Sequence, residues 1–356
     1  MANPLGRVIA LAAAAVLLSG CTLASTNQTS SAKSSGGVWR SNDGAKTFMQ
    51  INDLMATRGR ILTLNTADIN SLTLDPQDPL TVYAASAANG IFYTIDGGNS
   101  WQQFKALTAG SINDISVDSQ NKCVIYATAA NKLFKTENCG RDWNNIYYHQ
   151  KSQVVLTALA VDPKSGGVVY LGTSEGEVLK SLDGGHAWVT SYRLERDKIM
   201  DIVIDPFEPR IVFVGSAKKG LFKSLTGGAS WSSLGAGLES YVGSHEYRKL
   251  IYDAATPNSL LFISKFGLLK TVDGGNTWRI IELLPAHKTT NILMVAVNPA
   301  NSNEFYYATA STLVKTSDGG LSWSSKQLPY SRSTTDIKIS PASGNVVYLT
   351  TKQSSN

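Results

Sequence analysis

One octapeptide recurs seven times along this chain: SNDGAKTF at 41–48, TIDGGNSW at 94–101, TENCGRDW at 136–143, SLDGGHAW at 181–188, SLTGGASW at 224–231, TVDGGNTW at 271–278 and TSDGGLSW at 316–323. Successive starts lie 53, 42, 45, 43, 47 and 45 residues apart. A near-constant period of this length marks a repeat architecture in which each copy is one supersecondary unit. Asp-Gly and Gly-Gly are strong hairpin signals, because the turn needs positive φ and glycine adopts it without steric cost. The carboxylates of Asp43, Asp96, Asp183, Asp273 and Asp318 are suited to accept hydrogen bonds from turn amides, and the Ser or Thr hydroxyl two residues earlier does so more weakly. The closing indoles of Trp101, Trp143, Trp188, Trp231, Trp278 and Trp323 are apolar bodies that wedge between neighbouring units. All of these residues read as structural.

A second ladder runs beside the first. The pairs Val82-Tyr83, Ile125-Tyr126, Val169-Tyr170, Val212-Phe213, Leu261-Phe262, Tyr306-Tyr307 and Val347-Tyr348 are apolar-plus-aromatic strand signals. Turns such as Asp75-Pro76, Asp162-Pro163 and Asp205-Pro206 stand ahead of several of them, preceded by alternating runs such as Ile202-Val203-Ile204. Short strands (GLFKS at 220–224, GLLKT at 267–271) join aromatic pair to octapeptide. Each unit is therefore four antiparallel strands, and the fold class is all-β, a seven-bladed β-propeller. The chain opens on the outer half of a blade at 37–48 and ends on an inner half at 336–351. Joined, the N- and C-terminal strands share one blade and close the ring, which removes exposed sheet edges.

The pattern Ser/Thr-x-Asp-x-Gly-x-x-Trp resembles the Asp-box, or BNR, repeat, over essentially all of 37–351. That group includes sortilin-type receptors, xyloglucan-cleaving glycosidases, sialidases and the photosystem II assembly-factor propellers. The resemblance implies that the boxes sit on hairpins remote from any ligand. It places the connections from each outermost strand to the next innermost strand on the opposite face, around the axial channel. The chain departs from each subgroup. The photosystem II factor's G-W-x-V-G strand signature is missing, as are the xyloglucanases' glycine-rich N-terminal motif and second propeller, and the sialidases' Arg-Ile-Pro.

The first residues read as an address. Arg7 precedes eleven apolar residues, Val8–Leu18, which fits a signal-peptide core but is short of the roughly 20 residues a membrane span needs. Leu18-Ser19-Gly20-Cys21 resembles the bacterial lipobox, which implies a signal peptide at 1–20, lipidation at Cys21 and a membrane anchor at the cell envelope. The Ser/Thr-rich segment up to residue 36 reads as a flexible tether, and 352–356 as a tail.

The third box replaces Asp-Gly with Asn138-Cys139, and Cys123 precedes the strand that would lie beside it. Antiparallel pairing around a turn at 129–132 brings the two cysteines together, so a disulfide is expected in an exported chain, two free thiols being the alternative.

The outer-to-inner connections at 49–67, 102–111, 144–154, 189–198, 232–249, 279–290 and 324–333 hold thirteen Lys/Arg and six Asp/Glu, a difference of +7 against +5 for the whole chain. Positive charge is thus concentrated on one face, where loops carry recognition. Arg58, Arg60, Tyr192, Arg193, Arg196, His245, Tyr247, Arg248 and Arg332 are the candidate binding residues, Arg and Tyr being enriched at binding hot spots. The implied partner is a protein, or an acidic glycan or peptide. No Lys/Arg run of the kind found in nucleic-acid arms is present, so no nucleic-acid partner is expected. No tight metal-ligand spacing occurs, and neither metal nor cofactor is expected.

The first functional expectation is a non-catalytic binding or assembly scaffold. The alternatives are an assembly factor resembling the photosystem II factor, or a glycoside hydrolase of the xyloglucanase or sialidase type, which needs two carboxylates about 5–9.5 Å apart across the scissile bond. The hydrolase candidates are Asp53, Glu195, Asp197, Glu239, Glu246 and Glu282, and their convergence or dispersal separates hydrolysis from binding.

Overall fold

Each octapeptide closes into a hairpin held by its own side chains. In all seven, the leading Ser or Thr hydroxyl accepts the amide four residues on, at 2.8–3.0 Å. The Asp carboxylate then accepts the next amide but one, as from Thr47 to Asp43 and from Ser322 to Asp318. Asn138 and Thr226 fill the same acceptor position in the two boxes that lack Asp. The turn chemistry of the third box is therefore kept, not lost. The second Gly of the box is also a contact point: Gly185 has φ +96°, and a Cβ there would stand 2.5 Å from Ile146 of the preceding blade.

The computed structural model describes residues 36–55, 63–284 and 290–353. They form seven four-stranded antiparallel sheets. Blades 1 to 6 span 69–103, 114–148, 156–193, 199–233, 247–280 and 294–327. Blade 7 joins both ends of the chain: Ser333–Ser340 is innermost, then Ser343–Lys352, Gly37–Ser41 and Met49–Gln50. The clasp runs in register from Gly37 opposite Thr351 to Ser41 opposite Val347. Seven blades, four strands each and a shared closing blade agree with the sequence reading.

No single core exists. Seven buried apolar clusters fill the seven spaces between adjacent blades. This explains why the second strand of several blades is buried along its whole length, since it packs on both faces. The box indoles lie in these spaces. Trp143 meets Phe104 of blade 1, Trp188 meets Tyr147 of blade 2, and Trp231 stacks on Tyr192 of blade 3, with centroids 5.3–5.5 Å apart.

Two polar ladders cross the same spaces. In the first, the aromatic-pair tyrosine and the Lys or Arg of the third strand donate to the first Gly carbonyl of the next box. Tyr170 and Lys180 hold Gly227 at 2.9 and 2.7 Å, Lys223 holds Gly274 at 2.7 Å, and Tyr348 and Arg40 hold Gly97 at 3.2 and 2.5 Å. Burial pushes the Tyr170 phenol up to about 12, so it remains a donor. In the second ladder, a β-bulge in the innermost strand turns one side chain sideways. Asn70, Thr157, Arg248 and Thr335 occupy this position, and Asn113 plays the same part from just ahead of the innermost strand of blade 2. They donate to the carbonyls of Ile112, Leu156, Ile199, Ile292 and Ile69 of the following blade, at 2.6–3.0 Å.

In blade 2, Cys123 and Cys139 are joined as a disulfide, and the Cys139 amide donates to the Cys123 carbonyl at 3.1 Å. The bridge adds a covalent link to a hairpin already closed by Thr136 and Asn138.

Trp101, 0% exposed, donates its indole N–H to the Ile51 carbonyl across the blade 7–blade 1 boundary at 2.6 Å. Trp101→Ala is expected to lower the unfolding free energy in urea by roughly 3–5 kcal/mol. Tyr148→Ala, at a side chain 65% exposed, is expected to change it by no more than about 0.5 kcal/mol. Equal effects would contradict inter-blade wedging by the box indole.

Candidate binding face

The connection from blade 3 to blade 4 shows how the face opposite the boxes is built. Leu194 is buried and its amide donates to the Gly176 carbonyl at 2.7 Å, which ties the segment to the central turn of blade 3. Arg196 follows with φ +53°, an uncommon left-handed conformation for a side-chain-bearing residue. Asp197 is only 3% exposed, and its carboxylate accepts the backbone amides of Lys218 and Lys219 at 3.0–3.3 Å. The Ala217 amide donates to the Lys198 carbonyl at 2.9 Å. The segment is thereby pinned to the central turn of blade 4 as well.

The consequence is a basic knuckle. Arg196, Lys198, Lys218 and Lys219 are all exposed on two backbone segments held together by the Asp197 carboxylate. None of the four forms an ion pair with an acidic side chain among the described residues; the Lys219 ammonium donates to the Glu195 carbonyl at 3.3 Å. Beside the knuckle lies a groove of about 1000 Å³, lined by Lys151, Ser174, Glu175, Glu177, Arg193, Glu195, Arg196 and Lys219. Its cations differ in availability. Arg193 pairs with Glu177 at 2.5 Å, and Glu177 also takes His149 at 2.9 Å. Lys151 pairs with Glu175 at 2.8 Å, and that hydrogen bond holds the Glu175 carboxyl below its usual range. Arg196 and Lys219 are the groove cations without an acidic partner.

The other sequence candidates fall in varied places. His245 is exposed and lines two pockets between blades 4 and 5. Tyr192 is half-buried between Phe222 and Trp231, as an inter-blade spacer. Tyr247, 5% exposed, packs on Phe262 and donates to Asp201 at 3.0 Å. Arg248 is exposed, yet its guanidinium bonds Asn291 and the Ile292 carbonyl in the bulge ladder. Arg332 bonds Asp68 at 2.7 Å, linking blade 7 to the segment entering blade 1. Arg58, Arg60 and Cys21 lie outside the described residues. Sequence reasoning missed Lys218 and Lys219 because they sit on a turn within a blade, while only connections between blades were considered. The paired Ala-Lys-Lys-Gly before a strand was the available signal.

Four of the six candidate carboxylates have defined surroundings. Asp197 is buried against backbone amides, Glu246 pairs with Lys265 at 2.7 Å, and Glu195, Glu239 and Glu246 each line a different pocket.

A further charged group occupies the axis. Ser71, Asp114, Ala158, Asp201, Lys249, Met294 and Asp336 are equivalent positions on the innermost strands, opposite Ala85, Thr128, Gly172, Gly215, Ile263, Ala308 and Thr350 of the second strands. Asp336 and Asp114 accept the amides of Leu72 and Leu159 in the following blades, while Asp201 binds Lys249 at 2.7 Å. Burial pushes the Asp114 carboxyl up to about 6, against the pull of Lys249. These carboxylates stitch neighbouring blades. Among the described residues no group of three or more His, Cys, Asp or Glu is placed to hold a metal ion.

Comparison with known proteins supports the fold. The Sortilin-Vps10 family model (Sortilin, neurotensin receptor 3) matches residues 36–171, less than half of the chain. No curated protein is significantly similar in sequence. Among solved structures, the GH74 xyloglucanase of Xanthomonas campestris aligns with TM-score 0.64 at 16% identity, covering 80% of this chain and 51% of that one. The Niastella koreensis GH74 enzyme gives 0.65 at 15%, covering 85% and 53%. YCF48 bound to D1 peptide gives 0.61 at 18%, covering 80% and 94%. The chain therefore spans about half the length of these GH74 enzymes and nearly the full length of YCF48. At such identities the likeness is one of fold.

A raised folded-state pKa means that Asp114 favours the folded state below its ordinary 3.8, and that this contribution is lost as pH rises to about 6. The melting temperature of Asp114→Asn relative to the parent is expected to increase from pH 4 to pH 7. A difference independent of pH would contradict an Asp114 carboxyl titrating in that window.

Proposed function

We propose that this chain is a membrane-held binding or assembly module, lipidated at Cys21, that captures an acidic partner on the face opposite its Asp-boxes. The observation that carries the reading is the knuckle of Arg196, Lys198, Lys218 and Lys219, four exposed cations without acidic partners among the described residues. Surface cations are normally cheap to satisfy, and here neighbours of the same face are satisfied: Arg193, Lys151 and Lys265 each pair with a glutamate. The knuckle keeps its charge available while a buried carboxylate fixes its shape. Preorganised positive charge of this kind favours encounter with an acidic ligand and sets its register.

Two further observations support binding over hydrolysis. Asp197, the most buried of the candidate carboxylates, is engaged with backbone amides, and Glu246 is paired with Lys265. YCF48, a neighbour of comparable length, is described bound to D1 peptide, so a propeller of this size offers a peptide-accepting surface. The lipobox-like LSGC at 18–21 supplies the argument for an anchored, exported location, with the Ser/Thr-rich segment as tether.

A fluorescein-labelled oligoglutamate peptide is the direct probe. Reversing all four cations (R196E, K198E, K218E, K219E) is expected to weaken its binding by at least about tenfold, a change of roughly 1.4 kcal/mol. Reversing Lys46 and Lys122, exposed on the box face, is expected to leave affinity unchanged. Added salt is expected to weaken the parent complex, because exposed charges are screened within about 10 Å at 0.1 M. Equal binding by the quadruple variant would contradict the reading. For the anchor, Cys21→Ser in the full-length chain is expected to move the protein from the membrane fraction to the soluble fraction; persistence in the membrane would refute lipidation there.

A further inference from the structure

Lys219 lines two depressions at once. On one side is the charged groove between blades 3 and 4; on the other is a pocket of about 360 Å³ between blades 4 and 5. The second pocket has a different character. Leu221 and Leu238, 1% and 3% exposed, form its floor, and Tyr241 and Val242 form one wall. Its outer lip is Val242, which is 87% exposed. It is the most exposed large apolar side chain on the described connections between blades, ahead of Tyr148, Leu284 and Met55.

The connection that makes this wall is rigid. It begins with a short 3-10 turn, Gly235–Leu238. The Tyr241 and Ser244 amides then donate to the Leu238 and Tyr241 carbonyls at 3.0 and 2.9 Å, and the Ser244 hydroxyl donates to Leu238 at 3.1 Å. The Tyr241 hydroxyl bonds the Trp278 carbonyl at 2.5 Å, and its ring meets Phe266 edge-on at 5.2 Å. Gly220, with φ +77°, lets the connection close down on the blade 4 turn; a Cβ there would stand 3.3 Å from the His245 backbone. These bonds hold the pocket wall in place, which lowers the ordering cost of filling it.

Resting on the binding reading above, we propose that the partner is an extended peptide in which acidic side chains stand next to one bulky apolar side chain. The acidic part lies along the knuckle and groove of blades 3 and 4, and the apolar side chain enters the pocket bounded by Leu221, Leu238, Tyr241 and Val242. Charge sets the order. Arg196, Lys198, Lys218 and Lys219 favour carboxylates on the blade 3 side, whereas the exposed Glu239 at the pocket rim disfavours a carboxylate there. Lys219, common to both depressions, marks the point where the segment passes from one to the other.

Three labelled peptides test this by fluorescence anisotropy: oligoglutamate alone, and oligoglutamate with a single Phe added at its N- or C-terminal end. At least one Phe peptide is expected to bind the parent protein roughly tenfold tighter than oligoglutamate, the gain from burying one large apolar side chain. Val242→Asp alters an exposed lip and is expected to leave the near-ultraviolet circular dichroism unchanged. It should erase the Phe gain and leave oligoglutamate affinity within about twofold of the parent. Lys219→Glu is expected to weaken all three peptides. Binding of oligoglutamate without a gain from Phe at either end, or a gain that survives Val242→Asp, would overturn the pocket assignment while leaving the basic knuckle intact. No binding of oligoglutamate to the parent would overturn the acidic-partner reading, and this inference with it.

Discussion

The carbonyl of the first box glycine is where one blade takes hold of the next. Tyrosine and lysine side chains from the preceding blade converge on it, as Tyr170 and Lys180 do on Gly227. The hairpin must present that carbonyl outward, which requires the positive φ of two successive turn residues. Box chemistry and inter-blade chemistry are therefore one device. Shape inside the box, set by the Ser/Thr and Asp acceptors, determines what the neighbouring blade can grip. The lysines that grip are drawn into partly buried positions over aromatic rings, with Lys180 and Lys223 each 5.4 Å from a ring centroid.

Because that grip recurs at five of the seven boundaries of a closed ring, on Gly44, Gly97, Gly184, Gly227 and Gly274, the opposite face is relieved of much of the work of holding the blades in place. The bulge ladder and the axial carboxylates complete the stitching near the centre. What remains on the far face is a set of connections whose ends are fixed and whose middles are free to differ. Blade 3 to blade 4 uses that freedom for a basic knuckle, and blade 4 to blade 5 for an apolar pocket. Their adjacency gives the face two chemistries within reach of one extended segment.

The architecture was legible in the sequence because its determinants are local. A turn octapeptide, an apolar-aromatic pair and a period near 45 residues specify each blade without knowledge of the others. The shared seventh blade followed from the two incomplete ends. The candidate site was legible only in part, since loop membership in sequence does not say where a side chain points. Arg248 lay in a candidate connection, but a bulge delivers it to the next blade's backbone. Tyr247 and Tyr192 likewise belong to inter-blade packing, a role their residue type does not distinguish from recognition. Asp197 read as a possible catalytic acid, and its burial against two amides is a tertiary fact with no local signature. Lys218 and Lys219 escaped notice for the converse reason, lying on a turn inside a blade.

The most direct test is a hydrogen–deuterium exchange footprint of the protein with the Phe-bearing acidic peptide bound. The account predicts slowed exchange confined to 193–198, 217–221 and 238–245, with the seven boxes unchanged. Protection centred on the boxes, or on the connections of blades 6 and 7 instead, would contradict it.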